Sequence, residues 1–263
     1  RGAAKGSPAV HFRPAARAGL RRAGAAARVP AGNAPHMRAS MADITLVIGN
    51  KNYSSWSLRA YLALAHAGVP FDEIVIPLKE SGTRATILKY SPPGTVPVLK
   101  HGAVTVWDSL AIAEYLADAF PASQLRPETL EARALARSIC AEMHSGFAAL
   151  RSALPMNVRS SFPHRKPTQE AQADISRIAA IWRDCRKRFG EAASESSDSP
   201  FLFGRFTAAD AMYAPVVSRF RTYRIELDEV CRTYADAVWA LPAMQAWAAA
   251  AANEPMVIES CEF

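Results

Sequence analysis

The sequence predicts a mixed α/β unit followed by an all-helical one, and two observations carry that prediction. Residues 44–120 run as an apolar stretch, a helical period, a second apolar stretch, two short strand-like segments and an amphipathic helix, an order of βαβ followed by ββα. Everything patterned after residue 127 reads as helix. The division predicted is a tail at 1–40, an α/β domain at 41–121 and a helical domain at 127–263.

Charge separates the tail from the rest. Of 31 Lys and Arg residues, eight lie in residues 1–40, which contain no Asp or Glu, leaving 23 basic against 24 acidic residues for the remainder. The basic balance belongs to the tail and says nothing of the folded body. Rich in Ala, Gly, Arg and Pro, the tail is expected to be disordered, because it has too little apolar surface to offset its ordering entropy. Its composition fits a transit segment or sequence upstream of a start at Met41, which is taken as the working start. A nucleic-acid arm fits least, since the charge has no aromatic interleaving.

Ile44 to Gly49 predicts the first strand. Ser54, Ser55 and Ser57 then fall within four positions at the start of a helical pattern. Serine is a preferred N-cap, and a hydroxyl left facing outward there lies in the positive field of the helix start, which suits an anion such as a thiolate. The plain alternative is a cap and nothing more. Leu58, Tyr61, Leu62, Leu64 and Ala65 give the helix its apolar face, and Gly68 closes it. Phe71 to Pro77 predicts a second strand, parallel to the first through a right-handed crossover. Thr83 to Tyr90 predicts a short helix ended by Ser91-Pro92-Pro93-Gly94. In Thr95-Val96-Pro97-Val98-Leu99 a proline enters a strand. It is either an ordinary edge proline or a cis turn whose preceding residue offers backbone groups to a ligand. Val104 to Trp107 follows as a strand, and Asp108-Ser109 caps a helix from Leu110 to Phe120 with Ile112, Leu116 and Phe120 on one stripe.

Pro121 to Pro127 reads as a linker. Leu130 to Leu154 predicts one long helix and Thr168 to Phe189 another; Glu191 to Pro200 reads as an acidic, Ser-rich surface loop. Thr207 with Asp210 three positions on has the form of a capping box, opening a core helix through Ala211, Tyr213 and Val216-Val217. Leu227 to Leu241 and Pro242 to Ala252 complete the helices. Cys140, Cys185, Cys231 and Cys261 are too widely spaced for a redox pair or a zinc site, so buried free thiols in a reducing compartment and no metal are expected. No stretch reaches the length and apolarity of a membrane span, and a cytoplasmic location is expected.

The βαβ-ββα order with a serine-rich helix start, the Val96-Pro97 turn and the Asp108-Ser109 cap resembles the thioredoxin-like glutathione-binding domain of the soluble glutathione transferases, and the helical remainder fits the same resemblance. The stretch from Tyr53 to Arg59 looks like the serine motif of the zeta class, which includes maleylacetoacetate isomerases, with Trp56 in place of the family's cysteine. That replacement removes the thiol that a thiol reductase would use.

What the resemblance implies is chemistry on glutathione as co-substrate. Val96, before a cis Pro97, pairs its backbone with the cysteinyl segment, and Asp108 and Ser109 hold the γ-glutamyl end, aided by the helix start. Ser54 or Ser55 donates its hydroxyl to the sulfur, with Tyr53 as a phenol alternative. The second substrate, a small electrophile, lies between the domains against Trp56, His144 and Arg151, with Arg159 as a further polar candidate and Met143 and Phe147 as apolar wall. Arg219, Arg221 and Arg224 read as a solvated helix face or as recognition of an acidic substrate. Arg59 is expected to pair with a carboxylate across the domain boundary, and Lys51 and Asn52 read as solvated loop residues. The resemblance further implies a homodimer. Cis–trans isomerisation of a maleylacetoacetate-like substrate and a non-catalytic interaction module are the alternatives to conjugation.

Overall fold

The structure is a computed structural model that describes residues 43–190 and 199–263. The readings of residues 1–40 as a tail and of most of 191–200 as a surface loop lie outside the described residues.

Four strands form one mixed sheet in the order β2-β1-β3-β4. They are β1 (Ile44–Gly49), β2 (Asp72–Ile76), β3 (Val98–His101) and β4 (Val104–Trp107). β1 runs parallel to β2 and antiparallel to β3, and β3 pairs antiparallel with β4. β1 is central and buried on both faces, so its sequence is a continuous apolar run. Ile44, Leu46 and Ile48 face α1 (Ser55–His66) and α3 (Ser109–Ala119) in the large core, whereas Val47 joins Ile76, Val98 and Ile87 of α2 (Thr83–Leu88) on the other face. This alternation fixes the register, since a slip of one residue would exchange the two faces.

The described helices after α3 are α4 (Leu130–Ser145), α5 (Ala148–Ala153), α6 (Gln169–Cys185), α7 (Ala208–Thr222), α8 (Glu229–Ala240) and α9 (Pro242–Ala252). α7 is buried along nearly its whole length and packs against both α1 and α4. Its start is the predicted capping box, with both reciprocal bonds between Thr207 and Asp210 present. Trp182 of α6 is fully buried and lies edge-on or tilted to Tyr213, Phe220 and Tyr234, which joins α6, α7 and α8 around one aromatic cluster.

The single long helix expected over 130–154 is two. α4 ends at Gly146, and Phe147 takes φ +57° before α5 begins. A Cβ on Gly146 would stand 2.7 Å from the Glu142 carbonyl oxygen, which already accepts the Gly146 N–H at 2.8 Å. The break therefore depends on a missing side chain, and it turns Phe147 into the core, where it is buried. Gly146→Ala is expected to destabilise the protein by about 1–3 kcal/mol through overpacking, a drop of roughly 2–10 °C in Tm. An unchanged Tm would contradict that steric account.

Two polar readings are also corrected. Lys51 and Asn52 are not solvated: Asn52 is fully buried and bonded to Asn157, and Lys51 pairs with Glu73 at 2.5 Å. Arg219 is buried as well, donating to the carbonyls of Leu154 (2.9 Å) and Pro215 (3.1 Å), so only Arg221 and Arg224 of that trio are exposed. Three of the four cysteines are buried free thiols, while Cys261 is partly exposed.

Candidate functional site

A cleft of about 410 Å³ opens where the N-termini of α1 and α3 meet the turn before β3. Its lining is Ser54, Trp56, Leu78, Ile87, Gly94, Thr95, Val96, Pro97, Asp108, Ser109 and His144. The size lies in the range of small-ligand sites. A larger hollow of about 710 Å³ lies on the far side of α7 and α8, rimmed by Arg221, Arg224 and Arg232 but also by Glu226 and Asp236. Those charges nearly cancel, and of the predicted site residues it holds Arg221 and Arg224 alone, whereas the smaller cleft gathers the serine, turn and cap residues, so the smaller cleft is the site to consider.

Three chain features build the cleft. At its α1 end, Ser54 is the N-cap, its Oγ accepting the Ser57 N–H at 3.4 Å and donating to Ser57 Oγ at 2.7 Å. Ser57 Oγ in turn accepts the Gly49 N–H at 3.0 Å, so the cap is tied to the end of β1. On the floor, the Val96–Pro97 bond is cis and brings both residues to the cleft wall. At the α3 end, Asp108 caps the helix, its Oδ1 accepting the N–H groups of Leu110 and Ala111 at 2.8 and 3.3 Å. Asp108 sits at φ +78°, a conformation that a residue with a side chain adopts at some cost and that clusters at ligand sites.

The polar groups are not all satisfied. Ser109 Oγ is buried on the cleft lining with no hydrogen-bond partner among the described residues, and so is His144 Nδ1. Buried polar atoms are normally paired, so these two point to a polar ligand. His144 Nε2 stands 3.3 Å from Asp108 Oδ2, and its ring is edge-on to Trp56 at 5.1 Å. Behind Trp56 lies the guanidinium of Arg59, 4.3 Å from the ring centroid, with Nε donating to the Met212 carbonyl at 3.0 Å. The carboxylate partner expected for Arg59 is thus a backbone carbonyl of α7 and an aromatic face. Burial, then repulsion from Arg219 and Arg151, lowers the Arg59 guanidinium to about 9, which leaves it charged at neutral pH. Trp56 supplies the cation–π attraction that a buried, part-paired guanidinium lacks elsewhere.

The cleft thus gathers seven predicted residues: Ser54, Trp56, Val96, Pro97, Asp108, Ser109 and His144. Ser55 is the first residue of α1 and does not line it, and Arg151 lies off it, bonded to the Gly146 carbonyl with its guanidinium 5.7 Å from the Trp56 centroid. The Tyr53 hydroxyl donates to Glu262 at 2.5 Å and accepts from Arg159 at 2.9 Å, so both groups are engaged away from the cleft. Met143 is core. Sequence reasoning did not single out Ser57 as a partner of Ser54, although the i,i+3 spacing places both on one helix face.

Comparison with known proteins gives a consistent result. The family model for the glutathione S-transferase N-terminal domain matches residues 53–119, and that for the C-terminal domain matches 132–250. The maleylacetoacetate isomerase of Mus musculus is 35% identical over 179 residues, covering 66% of this chain and 77% of that protein. Glutathione S-transferase 1 of Dianthus caryophyllus is 41% identical over 83 residues, covering 31% of this chain and 38% of that one, so the chain spans well under half of that relative. Among solved structures, a glutathione transferase homolog from Burkholderia GL BGR1 with bound glutathione is 25% identical, with a TM-score of 0.58 over 80% of this chain and 98% of that one.

Proposed function

The chain belongs to the glutathione S-transferase family, and from that premise we propose that it binds glutathione in the 410 Å³ cleft and activates its thiol for addition to a small electrophile. The observation that carries the reading is the convergence of Ser54, the Val96–Pro97 turn and the unpartnered Ser109 hydroxyl on one cavity. In it the Ser109 hydroxyl and the N-terminus of α3 receive the γ-glutamyl carboxylate, Val96 pairs with the cysteinyl backbone, and the sulfur lies at Ser54. The nucleophile is the co-substrate's thiolate, and the serine is a donor that holds charge on sulfur.

Ser57 completes the donor chain. With Gly49 N–H fixed on Ser57 Oγ, the Ser57 hydroxyl is able to turn toward Ser54, freeing the Ser54 proton for the thiolate. Trp56 and His144 form the wall against which the electrophile lies.

A second reading, glutathione-dependent isomerisation, draws on the similarity to the mouse isomerase. There the thiolate adds to a double bond conjugated with a carbonyl, the new single bond rotates, and elimination returns the thiolate. Both readings use the same sulfur and the same serine. The cytoplasmic location, the two-domain division around 121–127 and the homodimer belong to this proposal; Val104 and Trp107 on the edge strand β4, together with Leu130, leave apolar surface exposed that a second copy would cover.

Calorimetric titration with glutathione, combined with thiolate absorbance followed against pH, tests the reading. Saturable binding is expected, with the bound thiol titrating below the usual value of about 8.5. No binding at millimolar glutathione overturns it and favours a non-catalytic interaction module.

A further inference from the structure

The loop that delivers Ser54 is held from the far end of the chain. Glu254, just past α9, accepts two consecutive loop N–H groups on one carboxylate, Lys51 at 2.6 Å and Asn52 at 2.9 Å. Trp247 Nε1 donates to the Lys51 carbonyl at 2.8 Å. Asn52 donates to Asn157, which itself donates to the Cys261 carbonyl, and Tyr53 donates to Glu262. Arg159 closes the arrangement by donating to the carbonyls of Glu254 and Met256 and to the Tyr53 hydroxyl. The loop's own internal bonds are few: Tyr53 and Ser54 both donate to the Asn50 carbonyl.

We propose that Glu254 is a positioning residue for the Ser54 hydroxyl, and that the chain after α9 is a clasp that sets the loop from Asn50 to Ser54 for sulfur activation. The inference rests on the glutathione reading given above. Its physical basis is the directness of the linkage. Two N–H groups on neighbouring residues cannot both reach one carboxylate unless the intervening peptide has a single orientation, and that peptide lies two residues before Ser54. A hydrogen bond to sulfur depends steeply on the donor's position, and a misplacement of about 1 Å arising away from the reacting atoms is able to lower a rate about 100-fold. The residues proposed to hold the body of glutathione are Val96, Asp108 and Ser109, and none of these bonds to Glu254 among the described residues. Loosening the clasp therefore changes activation without changing attachment.

The test compares the wild-type protein with Glu254→Ala and Glu254→Gln, measuring Tm, the dissociation constant for glutathione, the pH dependence of the bound thiolate absorbance, and kcat and KM with a generic electrophile. Glu254→Ala is expected to keep its glutathione affinity within about twofold, to raise the bound thiol pKa, and to lower kcat about 10- to 100-fold. Glu254→Gln keeps the shape and one carbonyl acceptor, so it should lie between the two, and it decides the matter if the alanine variant does not fold. A purely structural role would lower Tm and leave the thiol pKa of the folded protein where it was; that result, in a wild-type background that binds glutathione, overturns the proposal. If the wild type itself binds no glutathione, it is the functional reading that fails.

Discussion

Replacing Ser54 by alanine is expected to lower kcat/KM about 10- to 100-fold and to raise the bound thiol pKa while the protein stays folded, and the size follows from what activation requires. Bringing a thiol from about 8.5 to about 6.5 takes roughly 2.7 kcal/mol. A hydrogen bond to a charged group supplies about 1.5–3 kcal/mol, and a helix N-terminus about 0.3–1 kcal/mol. The hydroxyl is thus the larger share, and its loss corresponds to the stated factor. Ser54 also caps α1 through the Ser57 N–H, so the variant should lose about 0.5–2 kcal/mol of stability. Tm and far-UV circular dichroism separate that loss from the kinetic one. Ser55→Ala is the internal control. Ser55 is buried at the first turn but off the cleft lining, so its turnover should stay within about twofold of wild type. Equal turnover in all three proteins would remove the serine from the mechanism.

The sequence was legible where local chemistry decides structure. Short apolar runs bounded by turn residues read as strands, β1 and β3 buried and the edges β2 and β4 largely exposed, and Ser54, Asp108 and Thr207 announce helix starts because an unpaired N–H needs an acceptor at once. What stayed hidden depends on contacts distant in the chain. The apolar period runs straight through Gly146 and Phe147, since a single glycine inside a helix costs only about 1 kcal/mol and gives no warning of the Glu142 carbonyl behind it. Arg219 reads as surface because an arginine is rarely buried, yet its acceptors are carbonyls, one of them in Leu154 some 65 residues away. Lys51 and Asn52 form a polar loop in sequence, yet in space Asn52 is buried and Lys51 partly so, their N–H groups taken up by Glu254, 203 and 202 residues further on. The choice between Ser54 and Ser55 was open for a related reason. Both suit a helix start, and only the path of the loop tells which one caps and faces the cleft.

Asp210→Ala is expected to be the most damaging single change to stability. The fully buried carboxyl accepts from the Leu202 N–H at 3.2 Å, the Thr207 N–H at 2.7 Å and the Thr207 hydroxyl at 3.0 Å. Alanine leaves three buried donors without an acceptor, at about 1–3 kcal/mol each before relaxation, so a loss of about 3–5 kcal/mol and a Tm lower by roughly 6–20 °C should follow. The pH dependence has a definite sign. Burial pushes the Asp210 carboxyl up to about 6 against the pull of its hydrogen bonds, from an ordinary value of 3.8. The folded protein then keeps a proton that the unfolded chain has given up, so this group's contribution is full below about pH 4 and is lost as pH rises through about 6. Asp210→Asn removes the titration while keeping the shape. The stability of wild type relative to Asp210→Asn should therefore fall between pH 4 and 6, by at most about 3 kcal/mol, in chemical denaturation followed across that range. A flat difference would mean that the N–H donors hold the carboxylate ionised throughout. The consequence reaches the cleft, because the helix start that Asp210 caps leads directly into Met212, whose carbonyl holds the Arg59 guanidinium on which Trp56 rests. A frayed α7 should loosen the wall facing the electrophile, while the bonds that hold the Asn50–Ser54 loop to Glu254 and Ser54 to Ser57 involve no residue of α7. Partial restoration of the helix start by Asp210→Asn should then recover KM for the electrophile in step with Tm.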